Sequence, residues 1–242
     1  MSKKIYISPS SQPANTYAAG NTNEQVQCRK IALATVEALK RCGFEAMTNV
    51  TDGKSMYDRV RESNSWGADL HVPIHTNAFN KKLKGTRMFC SSTTGNGGKA
   101  CKAILDVLAP LVPGESDGIK AASYYEITAT KAPCAYVEAA FHDNAEQAKW
   151  IIDHVVEIGE AICKGICNYY GVKYVASNSS AKPEKPKADT TEEKPATKDY
   201  LYRVFNADGK QTGAFSVEPN AITELKKQLK SGGSAKITYG PR

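Results

Sequence analysis

The sequence predicts an α/β fold, a mostly parallel twisted sheet flanked by helices, with a small C-terminal ββαβ domain behind it. Three observations carry that expectation. Over residues 1–175, short apolar runs alternate with stretches of helical period. Residues 176–198 then turn to Pro, Lys, Glu and Ser with almost no apolar side chain, the composition of a flexible, solvated linker. Apolar spacing returns over residues 199–242.

Taken in order, residues 4–7 read as a strand ended by Ser8-Pro9, and residues 8–23 as a polar loop, long enough to suggest a functional role. Asn23 offers N-cap chemistry, and Cys28, Ile31, Ala32, Thr35, Val36 and Leu39 mark one face of a helix over 24–42, stopped by Gly43. A strand over 44–48, a helix over 55–66 and a strand over 69–75 follow. Then come a strand over 86–92, a helix over 97–109 ended by Pro110, and an extended segment over 123–127. Residues 134–141 form a central apolar strand carrying Glu138, and one long helix over 145–170 closes the domain at Gly171. In the C-terminal part, Asp208-Gly209 signals a hairpin, Pro219 opens a helix, and residues 235–239 make a last strand. So small a unit is expected to pack on the first domain or on its own copy in a homodimer.

Composition narrows the function classes. The net charge of +7 has no basic block, which argues against a nucleic-acid partner and suits an anionic polymer. Seven cysteines, without CxxC pairs, read as buried free thiols made in a reducing cytoplasm. The N-terminus has no apolar signal region, and no stretch is apolar enough to span a membrane.

The chemistry-bearing residues gather at expected strand ends and one helix start, where sites of open α/β sheets lie. His75 ends a strand, Asn77 follows it, and Glu24 opens a helix. Glu138 interrupts an apolar strand, where an unpaired carboxylate is costly, and His142 lies four residues on. Imidazole and carboxylate oxygen are zinc ligands, and a catalytic zinc needs about three of them, an open position and a nearby carboxylate base. Alone, Glu24 reads as a dipole partner, His75 as a loop residue and His142 as a turn cap. His71 and His154 read as structural, and no HExxH or GxSxG motif is present.

Four segments resemble the zinc-dependent N-acetylmuramoyl-L-alanine amidases of bacterial autolysins and phage endolysins, in order and spacing across the first domain. They are Ile5-Tyr6-Ile7-Ser8-Pro9-Ser10-Ser11-Gln12, Asn23-Glu24, Leu70 through His75-Thr76-Asn77-Ala78 with Gly85-Thr86, and Ala132-Pro133 through Glu138 to His142-Asp143-Asn144. The resemblance implies zinc held by Glu24 and His75, with Glu138 as general base in cleaving the amide between N-acetylmuramic acid and L-alanine of peptidoglycan. One departure matters. The family's first zinc histidine falls near Ser11-Gln12, where this chain has none. In an extended segment Glu138, Ala140 and His142 share a face, so His142 is expected to replace it, with the Gln12 oxygen as the alternative and Asn77 as a further metal or substrate contact.

The C-terminal domain faintly resembles the sporulation-related peptidoglycan-binding repeat, through Arg203-Val204-Phe205 and Gly213-Ala214-Phe215. Together these resemblances imply a phage endolysin that lyses a Gram-positive host, made in the cytoplasm without a signal peptide and acting on the cell wall after release. The alternative is a catalytically inactive wall-binding protein that keeps the fold.

Overall fold

The computed structural model describes residues 2–177, 200–205, 211–215 and 236–241. The chain divides into two compact units, 1–181 and 182–242. In the first, β1 (Lys4–Pro9), β2 (Glu45–Thr48), β3 (Leu70–Asn77), β4 (Arg87–Cys90), β5 (Ile119–Ala121) and β6 (Tyr136–Phe141) form one sheet in the order β2-β1-β3-β6-β4-β5. Its helices are α1 (Glu24–Arg41), α2 (Met56–Trp66), α3 (Asn96–Leu108), α4 (Tyr125–Thr128), α5 (Ala145–Asp153) and α6 (Val155–Tyr170).

The sheet is mixed. β3 is paired in parallel with β1 on one side and β6 on the other, whereas β4 runs antiparallel to β6. The connection from β3 to β4 spans only residues 78–86, shorter than the dozen or so residues that a parallel crossover needs.

Register sorts the side chains into two faces. Ile5 and Ile7 sit level with Leu70 and Val72, and Ile74 with Val137, and all of them join the apolar core shared with α1, α3 and α6. Tyr6, Ser8, His71 and His75 point the other way, toward α2 and α4, with His75 level with Glu138. The polar chemistry is thus separated from the greasy face by strand alternation alone. α6 lies close on α3 because Gly165 has no side chain: a Cβ there would stand 2.4 Å from the Ile104 Cα.

The ends of helices follow local rules. Asn23 caps α1 by accepting from the Val26 N–H at 3.0 Å, and Ser55 and Asp58 form a capping box on α2. Two expectations are corrected. The segment expected to be extended over 123–127 instead gives the short helix α4, while the strand comes earlier, at β5. The expected single helix over 145–170 breaks at His154, whose φ of −122° and ψ of 27° leave the helical region. There the imidazole Nδ1 lies 2.8 Å from the Trp150 carbonyl and the ring stacks on the indole, so the side chain competes for the helix's own acceptor.

In the second unit, β7 (Tyr200–Phe205), β8 (Gln211–Phe215) and β9 (Lys236–Pro241) form an antiparallel sheet in the order β8-β7-β9. The linker and the C-terminal helix expected from the sequence lie outside the described residues. No helix among the described residues is long and apolar enough to cross a membrane.

Candidate active site

Three elements meet at the carboxyl end of β3. The strand delivers His75 beside Glu138 of β6, which is level with it in the register. α1 belongs to the opposite face, but its first residue, Glu24, reaches over the strand ends. The Glu24 Oε1 lies 2.8 Å from the His75 Nδ1. The loop before α1 completes this side: Asn15 Nδ2 donates to Glu24 Oε2 at 2.6 Å and to Gln12 Oε1 at 3.0 Å, and the Gln12 amide lies 3.3 Å from His75 Nδ1. Tyr136 stacks on the His75 ring with centroids 4.7 Å apart.

The other nitrogen of His75 faces a residue that the sequence did not single out. Glu126, on α4 and 3% exposed, has its Oε2 3.5 Å from His75 Nε2 and its Oε1 3.3 Å from His71 Nε2. It also accepts a short hydrogen bond from the Ser8 hydroxyl. His71 is held in turn by the Ser63 hydroxyl, 3.0 Å from its Nδ1. The His75 ring is therefore fixed between two carboxylates, with Nε2 turned to Glu126 and Nδ1 to Glu24.

The electrostatics are those of a cluster short of positive charge. Burial pushes His75 down, but hydrogen bonds to Glu126 and Glu24 and the charges of Glu138 and Glu24 prevail and raise it to about 10. Burial pushes Glu126 up, yet the two histidines hold it down at about 2. Glu138 is the counter-case: burial first, then repulsion from Glu24, outweighs attraction to His75 and Arg87 and raises it to about 7. Its Oε2 is sealed from solvent and has no hydrogen-bond partner among the described residues. Two imidazoles, His71 and His75, thus stand among three carboxylates, and one carboxylate oxygen is left over.

His142 is not brought into this cluster, contrary to the sequence expectation. Its Nδ1 lies 2.9 Å from the Thr76 carbonyl and 3.0 Å from the Thr76 hydroxyl, and its ring stacks on Tyr17. Thr76 alternates with His75 and faces the opposite side of the sheet. The cause is a register shift: β3 advances from His75 to Asn77 while β6 advances from Glu138 to Phe141. One extra residue on β6 sends everything after it to the other face. Asn77 stays near the strand end, where its Oδ1 accepts from the Ala78 N–H. It lines a depression of about 180 Å³ with Phe79, Leu83, Arg87 and Phe141.

The comparisons with known proteins fall on this same region. The family profile of N-acetylmuramoyl-L-alanine amidase (Amidase_3) matches residues 7–168. The chain belongs to that family. Over 121 residues it is 31% identical to the N-acetylmuramoyl-L-alanine amidase LytC of Bacillus subtilis, covering 48% of this chain but only 24% of LytC. Over 203 residues it is 24% identical to the endolysin of Bacillus phage SPP1, covering 79% of this chain and 75% of that one. Among solved structures, the catalytic domain of the amidase CwlV from Bacillus (Paenibacillus) polymyxa superposes with a TM-score of 0.63 at 19% identity, over 71% of this chain and 99% of that one. The catalytic domain of the CD27L endolysin gives 0.57 at 20% identity, over 69% and 97%. At those identities the structures speak for the fold of this amidase-family chain.

Proposed function

We propose that the chain hydrolyses the amide between N-acetylmuramic acid and L-alanine in peptidoglycan, with a zinc ion held at His75. The observation that carries it is the convergence of Glu24 and the Gln12 amide on His75 Nδ1, beside a Glu138 oxygen with nothing to bind. The donor set fits a divalent cation. Glu24 and His75 are zinc ligand types that meet at 2.8 Å, and Glu138 beside them has an oxygen without a partner. Among the described residues no three imidazole, carboxylate or thiol donors of this cluster lie within 4.8 Å of one another, which leaves the third place to the Gln12 amide, reoriented by its terminal torsion.

When bound, zinc polarises the scissile carbonyl and makes water acidic enough to ionise near neutrality. The chain's own residues do the rest. Glu126 would hold the proton on His75 Nε2, leaving Nδ1, which faces Glu24, to give up its own proton and turn its lone pair to the metal. Asn15 fixes Glu24 through Oε2 and leaves Oε1 toward His75. Glu138, raised to about 7, takes a proton from the attacking water and gives it to the departing L-alanine amine. The Tyr136 ring covers the flank of His75 and keeps bulk water off it.

The similarity to an endolysin supports a lytic role, with a Gram-positive wall as substrate, and the small second unit is read as a wall attachment that raises the effective concentration on a polymer. One observation favours a second reading, a wall-binding protein without catalysis: a neutral glutamine stands where a third charged or imidazole ligand would strengthen the site. Purified peptidoglycan separates the two. Hydrolysis releases new L-alanine amino groups in the presence of zinc, and Glu138→Gln abolishes it while still binding walls. No release by the zinc-loaded chain, or release of reducing sugar ends instead, overturns the amidase reading.

A further inference from the structure

We propose that Cys42, Cys163 and Cys167 form a second metal site, a three-thiolate centre for one thiophilic closed-shell cation of the Zn²⁺, Cd²⁺ or Cu⁺ class. Cys163 and Cys167 are four residues apart on α6 and so share a face, and Cys42 is the C-cap residue of α1, the helix that packs against it. The three sulfurs lie within 4.8 Å of one another, and all three residues are buried. No other three such ligand groups among the described residues do so, although the chain has four more buried cysteines. Burial as small apolar side chains therefore does not account for the grouping.

A second observation points to a ligand. The backbone N–H of Val175 donates to the Cys42 sulfur at 3.3 Å, so that sulfur already serves as an acceptor, the role a metal-bound sulfur keeps. The thiols themselves have only weak use for their protons. The Cys163 S–H has the Cys42 sulfur as acceptor at 3.7 Å, and the Cys42 S–H has the Val175 carbonyl at 3.7 Å. That carbonyl already accepts from Arg41 Nε at 2.9 Å, so it stays satisfied if the Cys42 proton leaves. The exchange balances: three S–H bonds break, three metal–sulfur bonds form, and three protons pass to solvent. With a dication the centre carries one negative charge, beside the Arg41 guanidinium. Soft thiolates select cations of this class.

The site is separate from the candidate active site. Glu24 and Cys42 stand at opposite ends of α1, about 27 Å apart at 1.5 Å per residue. Its ligands tie α1 to α6, and Cys42 is hydrogen-bonded to the chain at Val175, just after α6. The proposal does not depend on the catalytic reading.

Titration of the full, reduced, metal-stripped chain with Cd²⁺ under anaerobic conditions tests it. The expected result is a sulfur-to-metal charge-transfer band that saturates at one equivalent per chain, with a rise in melting temperature. The band is retained in His75→Ala and Cys28→Ser, and lost in Cys163→Ser and in Cys167→Ala, either of which suffices if the other does not fold. Thiol labelling gives an independent reading on the unmutated chain, where Cd²⁺ protects three cysteines. Absence of the band, or its persistence in a folded Cys163→Ser or Cys167→Ala chain, overturns the proposal, as does failure of Cd²⁺ to protect those three thiols.

Discussion

Replacing Glu126 with glutamine tests whether a residue remote in sequence governs His75. In the folded chain burial raises the Glu126 carboxyl, but the histidines flanking it overcome this and bring it from 4.5 to about 2. At 1.36 kcal/mol per unit, that difference is worth about 3 kcal/mol of stability at neutral pH, similar to the cost of breaking a buried ion pair by removing one partner. The sign follows from the direction. A carboxylate with a lowered folded pKa contributes above its unfolded value of 4.5 and loses the contribution as pH falls through about 2. Glu126→Gln should therefore unfold at lower urea than the parent at pH 7, with the gap closing in acid. The amide also offers His75 Nε2 a weaker acceptor, so zinc affinity or wall hydrolysis should fall about 10–100-fold, as for other groups that orient a metal-binding histidine. Equilibrium urea unfolding at several pH values and release of amino groups from purified wall supply the two readouts. A variant as stable as the parent at pH 7, with undiminished zinc affinity and hydrolysis, would refute the reasoning.

Five further variants have outcomes set by the structure. Glu138→Gln should lower hydrolysis at least 100-fold. Because an acid with a raised folded pKa costs stability as pH rises from 4.5 through about 7, that variant should be more stable than the parent at pH 8 and not at pH 4 in chelator-treated protein, by thermal melting. Gln12→Ala should weaken zinc binding, while His142→Ala should retain one zinc at the His75 cluster, as measured in a Cys163→Ser background by elemental analysis. Gly165→Val should cost about 1–3 kcal/mol or prevent folding, because the new side chain meets the Ile104 backbone, and chemical denaturation reads this directly. Asn144→Ala should lose about 1 kcal/mol, since its Oδ1 accepts from the Glu146 and Gln147 N–H groups at the start of α5.

Taken alone, Glu24 and His75 read as a dipole partner and a loop residue, and the family resemblance is what singles them out. Glu138 invites a question in the sequence because a carboxylate in an apolar strand violates its setting. Glu126 poses none. It lies on a four-residue helix in a stretch without clear period, and its importance comes entirely from the β3 histidines above it. His142 shows the reverse error. Alternation carried it to the face of Glu138, but a bulge between strands leaves no trace in a single sequence, and one extra residue reverses every side chain beyond it. The helices over α1, α2 and α3 were readable from caps and apolar spacing, whereas the break at His154 depends on a side-chain hydrogen bond that propensity does not encode.

Asn15 grips Glu24 twice, its carbonyl accepting the Glu24 N–H at 2.9 Å and its side chain donating to the carboxylate. The stretch before α1 is also moored in its middle, where the Ala18 N–H meets the His142 carbonyl. A segment fastened in this way cannot swing like a trapdoor without dragging the glutamate along. The candidate site is thus walled on this side by an anchored loop rather than by a swinging one. In the proposed hydrolysis of wall polymer, short soluble fragments would then gain no advantage from a swing of this loop.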